Sequence, residues 1–318
     1  MSGWVVFYAA VAACLVTAWL VVRRDQYAEL TAAPESAGSD GERKTFADER
    51  GTRLAGVHEF AEVADRDPAL RQDFVDHVLA QLGYGWHDVA AWQARLWPVL
   101  LARLRPGSPR FWPGMDLHVA PMVLHDVDLR GCELRDATFR GVRFAGTARF
   151  GGAVFTRLVS FEGACFARHA LFRGTAFEAG ADFESVTFTG TALFAEAIAG
   201  GEVWFDHARF SAHTDFSGSA FADVSFADVG FAGRTSFRDA RFGDAFFGGA
   251  RFSGHADFTG VTAERFRFPR ARARTDVYAR RTWPPGWTLC SPSPRKPGVW
   301  AELQTSASTA AGPPAGLE

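Results

Sequence analysis

The chain has 318 residues, 47% of them hydrophobic, and a formal net charge of −2. A charge so close to zero gives no global electrostatic steer, and this apolar fraction suits a globular protein that carries a membrane span. Four cysteines without a CxxC pair argue against a disulfide frame and against a zinc site.

Trp4 to Val22 (WVVFYAAVAACLVTAWLVV) is 19 residues without a charge, long enough to cross a bilayer. Trp4, Tyr8 and Trp19 suit interfacial anchoring. Arg23 and Arg24 follow at once, and nothing basic precedes the run except the terminal amine. Residues 1–24 are therefore expected to be a transmembrane anchor. By the positive-inside tendency the C-terminal part is cytoplasmic, giving a single-pass cell-membrane protein. A signal peptide wants its basic residues before the apolar run, and a lipoprotein site at Cys14 would lie in mid-span. A buried helix of a soluble domain fits less well, because the run is apolar on every face.

Residues 25–44 are poor in apolar side chains and read as a linker. The stretch 45–121 reads as a helical segment and N-terminal cap. Leu54, Val57, Ala61 and Ala64 make one helical stripe, and Leu70, Phe74, Val78 and Leu82 make the next. Between them Asp67 is placed to cap a helix that starts at Pro68. A third helix is expected from about Asp88 to Leu104, kinked or interrupted near Pro98. Phe111, Trp112 and Met115 are placed to cover the open end of a solenoid that begins near residue 122.

From Leu124 to Phe268 a large apolar residue returns every five or six positions. Of 28 such positions 23 are Phe, three Leu and two Ala. Two residues before each sits a small or β-branched residue at 26 of the 28 sites, with only Met122 and Phe266 departing. Two inward residues at spacing two are local β alternation, and a period of five fits no 3.6-residue stripe. Gly, Asp, Ser and Arg fill the gaps as corners and outer faces require. The expectation is short β-bridges joined by turns, with rings stacked coil on coil and stability drawn from neighbouring coils. From Phe150 to Phe216 steps of five and six alternate, and the added residues (Leu158, His169, Gly180, Thr191, Glu202, His213) are expected to bulge outward.

Runs such as DLRGCELRDATFRGVRF and ADFESVTFTGTALF resemble pentapeptide repeats with Phe in place of the usual central Leu. The helical block resembles the segment that precedes Phe-rich repeats in many actinobacterial membrane-associated proteins. The resemblance implies a mainly β fold over residues 122–268, a right-handed quadrilateral β-helix of about seven coils. At the usual strand spacing this is a rod of ~34 Å.

Residues 269–318 read as a basic C-terminal cap and disordered tail. Arg270, Arg272, Arg274, Arg280 and Arg281 fit a solvated cap, or contact with anionic lipid or nucleic acid. Trp283 and Trp287 are expected to pack on the last coil, and 302–318 to be disordered.

No Walker loop, GxGxxG unit, nucleophile elbow or HExxH is present. Neither the pair His118 and His125 nor the pair His207 and His213 belongs to a ligand motif. Cys132 occupies a small inward site, and Cys165 is expected to point outward. The chain is thus expected to be no enzyme and to need no cofactor or metal. One uneven feature is the charge along the repeats. Glu178, Asp182, Glu184, Glu196, Glu202, Asp206, Asp215, Asp223 and Asp228 stand against Arg209 alone, whereas the first coils carry Arg130, Arg135, Arg140 and Arg143. Outward sites need solubility, which explains the charges; a polarised docking surface is the functional alternative.

Two functions are compatible with these features. The first is a non-catalytic, membrane-anchored scaffold, with the lipid bilayer as partner through residues 4–22 and a protein partner the sequence does not name. The second, implied by the resemblance, is a DNA mimic that binds a topoisomerase. The membrane anchor and the Arg-rich end stand against it, and nucleic acid is disfavoured as a partner. Fold by itself does not decide between them.

Overall fold

The computed structural model describes residues 40–83, 88–290 and 299–306. The chain divides into two compact units, residues 1–53 and 54–318. The described part of the first is the opening of helix α1 (Asp40–Arg66). The helix thus begins inside the expected linker: Glu42, Arg43 and Lys44 are strong helix formers whose charge reads as loop in a hydropathy scan. The apolar run Trp4–Val22 and most of the linker lie outside the described residues. Among those described, no helix is long and apolar enough to cross a membrane.

The helical block of the second unit follows the two predicted stripes. Val57, Ala61 and Ala64 of α1 are buried, as are Phe74, Val78 and Leu82 of α2 (Arg71–Leu82). Between them Asp67 accepts a hydrogen bond from the Ala69 amide and caps a single 3-10 turn, Pro68–Leu70. Helix α3 (Val89–Leu104) starts on an Asp88 cap and runs unbroken through Pro98, against the expected interruption. Pro98 and Ala94 lie on its exposed face, so the carbonyl that Pro98 leaves without an amide partner meets water.

From Leu117 onward the chain winds into a solenoid with four walls. Wall A begins at Glu133–Leu134, wall B at Leu117–His118, wall C at Val123–Leu124 and wall D at Ala148–Arg149. Each strand pairs in parallel with its counterpart one coil later. Walls B and C each hold eight strands of the winding, so the rod has about eight coils rather than seven. The added winding comes from Leu117–His118 before the first expected repeat and Arg272–Arg274 after the last.

The core is the two-residue alternation itself. All 26 small sites are buried, and so are all 23 phenylalanines of the beat; of the 28 large positions only Ala263 is partly exposed. Rings stack from coil to coil along the shaft. In one column Phe150, Phe172, Phe194, Phe216, Phe237 and Phe258 follow one another at 4.6–5.1 Å. Within a coil, rings of opposite columns meet edge to face, as Phe161 and Phe172 do at 5.4 Å. Wall A is the exception, because Ala199 interrupts its column between Phe177 and Phe221.

Two opposite corners of each coil are tight turns. At Phe150–Ala153 the Ala153 amide donates to the Phe150 carbonyl and Gly152 takes φ 66°, a conformation that suits glycine. Ser185, Glu196, His207, Asp228 and Asp239 occupy the same left-handed place in later coils. The other two corners hold the added residues. Leu158, His169, Glu202 and His213 point to solvent as expected. Gly180 does not: it is buried at φ 101°, and a Cβ there would collide with the Glu202 carbonyl of the next coil.

The added residues set coil length. From Ala137 through Val159 and Ala181 to Val203 each coil takes 22 residues; from Val203 through Val224 and Ala245 to Phe266 each takes 21. The change follows Glu202, where the pairing shifts register. Beyond it the chain runs straight from wall A into wall B, as in Ala220–Ser225.

Packing a ring at every corner leaves room for Ala and little more at the second inward site. Ala164→Leu should overpack the shaft and cost about 1–3 kcal/mol, measured by urea unfolding. An unchanged midpoint would contradict the inward placement of Ala164.

Both ends are closed. At the start, Gln72 exchanges two hydrogen bonds with the backbone of Asp116, and Gln93 does the same for Val123 and His125. Each glutamine amide thereby replaces the missing neighbouring strand. Arg105 donates to the carbonyls of Asp128 and Arg130 on wall D. Of the residues expected to cap this end, Met115 packs on the core, whereas Trp112 is buried against Phe74 and Arg103 in the helical block.

At the far end Trp283 meets Phe252 and Phe258, and Trp287 meets Phe268, as expected. The tail departs from expectation. Trp300–Thr305 forms a strand antiparallel to both Arg272–Arg274 and Trp287–Leu289. It buries Ala301 and Leu303 over the last edge, a short alternation hidden behind a proline-rich stretch. Residues 307–318 lie outside the described residues.

Candidate interaction surface

With the shaft filled by rings, contact surface is left on the outer walls. A coil takes about 21 residues, so the 51-residue acidic stretch from Glu178 to Asp228 circles the rod more than twice. Glu178 stands on wall A, Asp182 on wall B and Asp215 on wall D. Glu184, Asp206 and Asp228 lie at the turn between walls B and C, and Glu196 at the turn between D and A. Glu202 and Asp223 are direct neighbours across two strands. The acids thus form a girdle with two local groupings, Glu184, Asp206 and Asp228 at one turn on successive coils and Glu202 beside Asp223 on wall B.

Many of these charges already have structural partners. Asp182 accepts from the Ser160 hydroxyl and the Glu184 amide, and Asp215 from the Ser217 amide and hydroxyl. Asp206 and Asp223 accept from amides one coil later, Ala227 and Asp244. Glu196 pairs with Arg173 at 2.8 Å. Three of the first-coil arginines are similarly engaged: Arg130 with Asp128, Arg135 with Asp116 and Arg140 with Glu162. Arg143 donates to the half-buried Cys165 sulfur at 3.5 Å. The hydrogen bond from Arg135 lowers the pKa of Asp116, and that from Arg130 lowers Asp128.

A local rule lies behind several of these bonds. An Asp or Ser just before the inward Phe or Leu bends over the following turn and accepts the amide two residues on. Asp128, Ser160, Asp182, Asp215, Ser236 and Asp257 all do so. The signal is legible as D/S-F/L-x-G/S/D, and a count of acids alone misses it.

Asp257 carries this furthest. It accepts from the Thr259 amide and hydroxyl and from Thr282, and Arg238 lies at 3.4 Å. Partial burial pushes its pKa up, but these donors outweigh it and hold the pKa down from 3.8 to about 2. A depressed carboxylate stabilises the fold above its unfolded pKa and loses that effect as pH falls toward its folded one. Wild type should therefore lose stability over Asp257→Asn as pH drops from about 4 to about 2, read by urea unfolding at each pH.

The basic tail is partly structural too. Arg281 donates to the carbonyls of Gly254, Arg274 and Ser253, and burial lowers its pKa. Arg274 pairs with Asp276. Cys132 is buried filler, its thiol pushed up to about 11 by that burial. Among the described residues no group of His, Cys, Asp and Glu could hold a metal ion.

Two grooves went unseen in the sequence, because each joins residues one coil apart. One, of about 540 Å³ on wall C, lies between Arg209 and Arg251 and is bounded by Trp300. The other, of about 250 Å³ on wall B, is lined by Glu202, Trp204, Asp223, Ser225, Asp244, Phe246 and Arg267.

Comparison with known proteins places the repeats. The family model "Pentapeptide repeats (9 copies)" matches residues 129–176, 172–220 and 216–262. No curated protein matches the chain. Among solved structures it is similar to HetL, a pentapeptide repeat protein involved in heterocyst differentiation regulation from the cyanobacterium Nostoc sp. strain PCC 7120. The identity is 12% over 47% of this chain and 87% of that one, with a TM-score of 0.12.

Proposed function

The chain being a pentapeptide repeat protein, we propose that it is a non-catalytic interaction scaffold, held at the cell membrane by residues 4–22 with its repeat domain on the cytoplasmic side. The observation that carries this reading is the filled shaft. Phenylalanine rings occupy the inside of the solenoid from Phe139 to Phe268, and recognition is left to the outer walls. The anchor rests on the uncharged run Trp4–Val22 and on Arg23 and Arg24 after it.

The test is proximity labelling in cells from the C-terminus of the full-length protein, with membrane fractionation and a variant lacking residues 4–22. The expected result is a reproducible set of cytoplasmic or inner-membrane proteins, lost with the deletion. Labelling of extracytoplasmic proteins would reverse the topology. A soluble full-length protein, or recovery of DNA topoisomerases, would overturn the anchored scaffold.

A further inference from the structure

The repeat places equivalent positions of successive coils side by side, so one coil can serve as a template for another. On wall B two outward columns run next to each other. In one, Glu202, Asp223, Asp244 and Arg265 are in register; in the other, Trp204, Ser225, Phe246 and Arg267.

The later half of this ladder is a filled cation site. The Arg267 guanidinium lies 4.9 Å from the centre of the Phe246 ring and donates to Asp244 at 2.9 Å, and Arg265 reaches the same carboxylate at 3.2 Å. Ring and carboxylate come from one strand, two residues apart; the cations come from the next coil.

Two coils earlier the same parts recur without a cation. Trp204 supplies the ring and Glu202 the carboxylate, again two residues apart on one strand. In the register of Arg267 stands Ser225, and in that of Arg265 stands Asp223, a second carboxylate. Trp204 is only half buried, Glu202 and Asp223 are exposed, and a groove opens where the arginine side chain would lie. Asp182, one coil back, is in register with Trp204. Among the described residues no Arg or Lys pairs with Glu202, Asp223 or Asp182. Indole is the strongest aromatic partner for a cation.

We propose that Trp204, Glu202 and Asp223 form a binding site for an arginine side chain of a protein partner, seated over the indole as Arg267 sits over Phe246. This names the chemistry of one contact within the scaffold reading and rests on that reading.

The test uses purified full-length protein in detergent and fluorescence anisotropy of a labelled Gly-Arg-Gly-Arg-Gly peptide, with the citrulline analogue as its neutral counterpart. The arginine peptide should bind more tightly than the citrulline one. Its affinity should fall about tenfold in Trp204→Ala and in Glu202→Gln/Asp223→Asn. Ser225→Arg puts a guanidinium in the register of Arg267 and should block the peptide as strongly, while leaving the fold intact by circular dichroism. Glu178→Gln/Glu184→Gln removes the same charge elsewhere and should leave affinity within about twofold. Equal binding of both peptides, an equal loss in this control pair, or wild-type affinity in Ser225→Arg would each overturn the site. Cellular partners that survive Ser225→Arg would likewise sink the site and leave the scaffold reading standing.

Discussion

Phe172→Ala is expected to destabilise the protein by about 3–5 kcal/mol, among the largest losses available to a single substitution in the solenoid. Phe172 is fully buried and stacks on Phe150 at 4.6 Å and on Phe194 at 4.8 Å. It also meets Phe161 and Phe183 edge to face at 5.4 Å. Each aromatic pair contributes about 0.5–1.5 kcal/mol beyond its buried area. The shaft cannot close over the gap, because the Phe172 amide donates to Leu193 in the next coil and the Phe150 amide donates to Leu171. These ladder bonds hold the wall in place while the ring is removed. Urea unfolding of the full-length protein measures the loss, and Phe172→Leu should lose markedly less. A loss below about 1 kcal/mol for the alanine variant would mean that the coils collapse inward.

The second large effect is expected at Gln93, which is wholly buried. Its amide nitrogen donates to the carbonyls of Leu82 and Val123, and its oxygen accepts the His125 amide. Gln93→Leu keeps much of the volume and leaves three backbone groups without a partner. Of these groups that of Leu82 is buried, whereas His125 is half-buried and Val123 exposed. At about 1–3 kcal/mol for a buried group left unsatisfied and less where water can reach, the loss should be about 2–3 kcal/mol. Hydrogen exchange offers an independent reading, since the His125 amide should lose its protection. An exchange rate at His125 equal to that of wild type would show that water or another group had taken the place of the glutamine.

Legibility in the sequence tracks the range of the forces involved. The inward alternation is a local consequence of strand geometry, so Ala164, Phe166 and their equivalents were legible one residue at a time. The closing glutamines were not. Gln72 sits between Arg71 and Asp73 and Gln93 between Trp92 and Ala94 on ordinary helices, and their roles depend on the backbone of Asp116 and Val123 folded against them. Gly180 looked like one more surplus residue, because its limit is the Glu202 carbonyl 22 positions away. The acidic girdle shows the same restriction. Charges adjacent in the chain are dealt round four walls, whereas Glu202 and Asp223, 21 residues apart, become neighbours. The strand Trp300–Thr305 gives only a faint signal, because its alternation is six residues long and its place is set by the edge it covers. The grooves on walls B and C need the coil length, and that length changes at Glu202.

The closure at each end is dedicated, whereas every interior coil offers its neighbours the same backbone edge. Gln72, Gln93 and Arg105 recognise the first winding, and Trp300–Thr305 the last. Lengthening at either terminus would strip off a lid, but a whole winding spliced in or out of the middle would leave both lids where they are. Residues 159–180 are such a cassette, since Leu158 would then run on into Ala181, which occupies the same place on wall B as Val159. The gene can therefore reset the reach of the rod in steps of one strand spacing, about 4.8 Å, without redesigning either terminus.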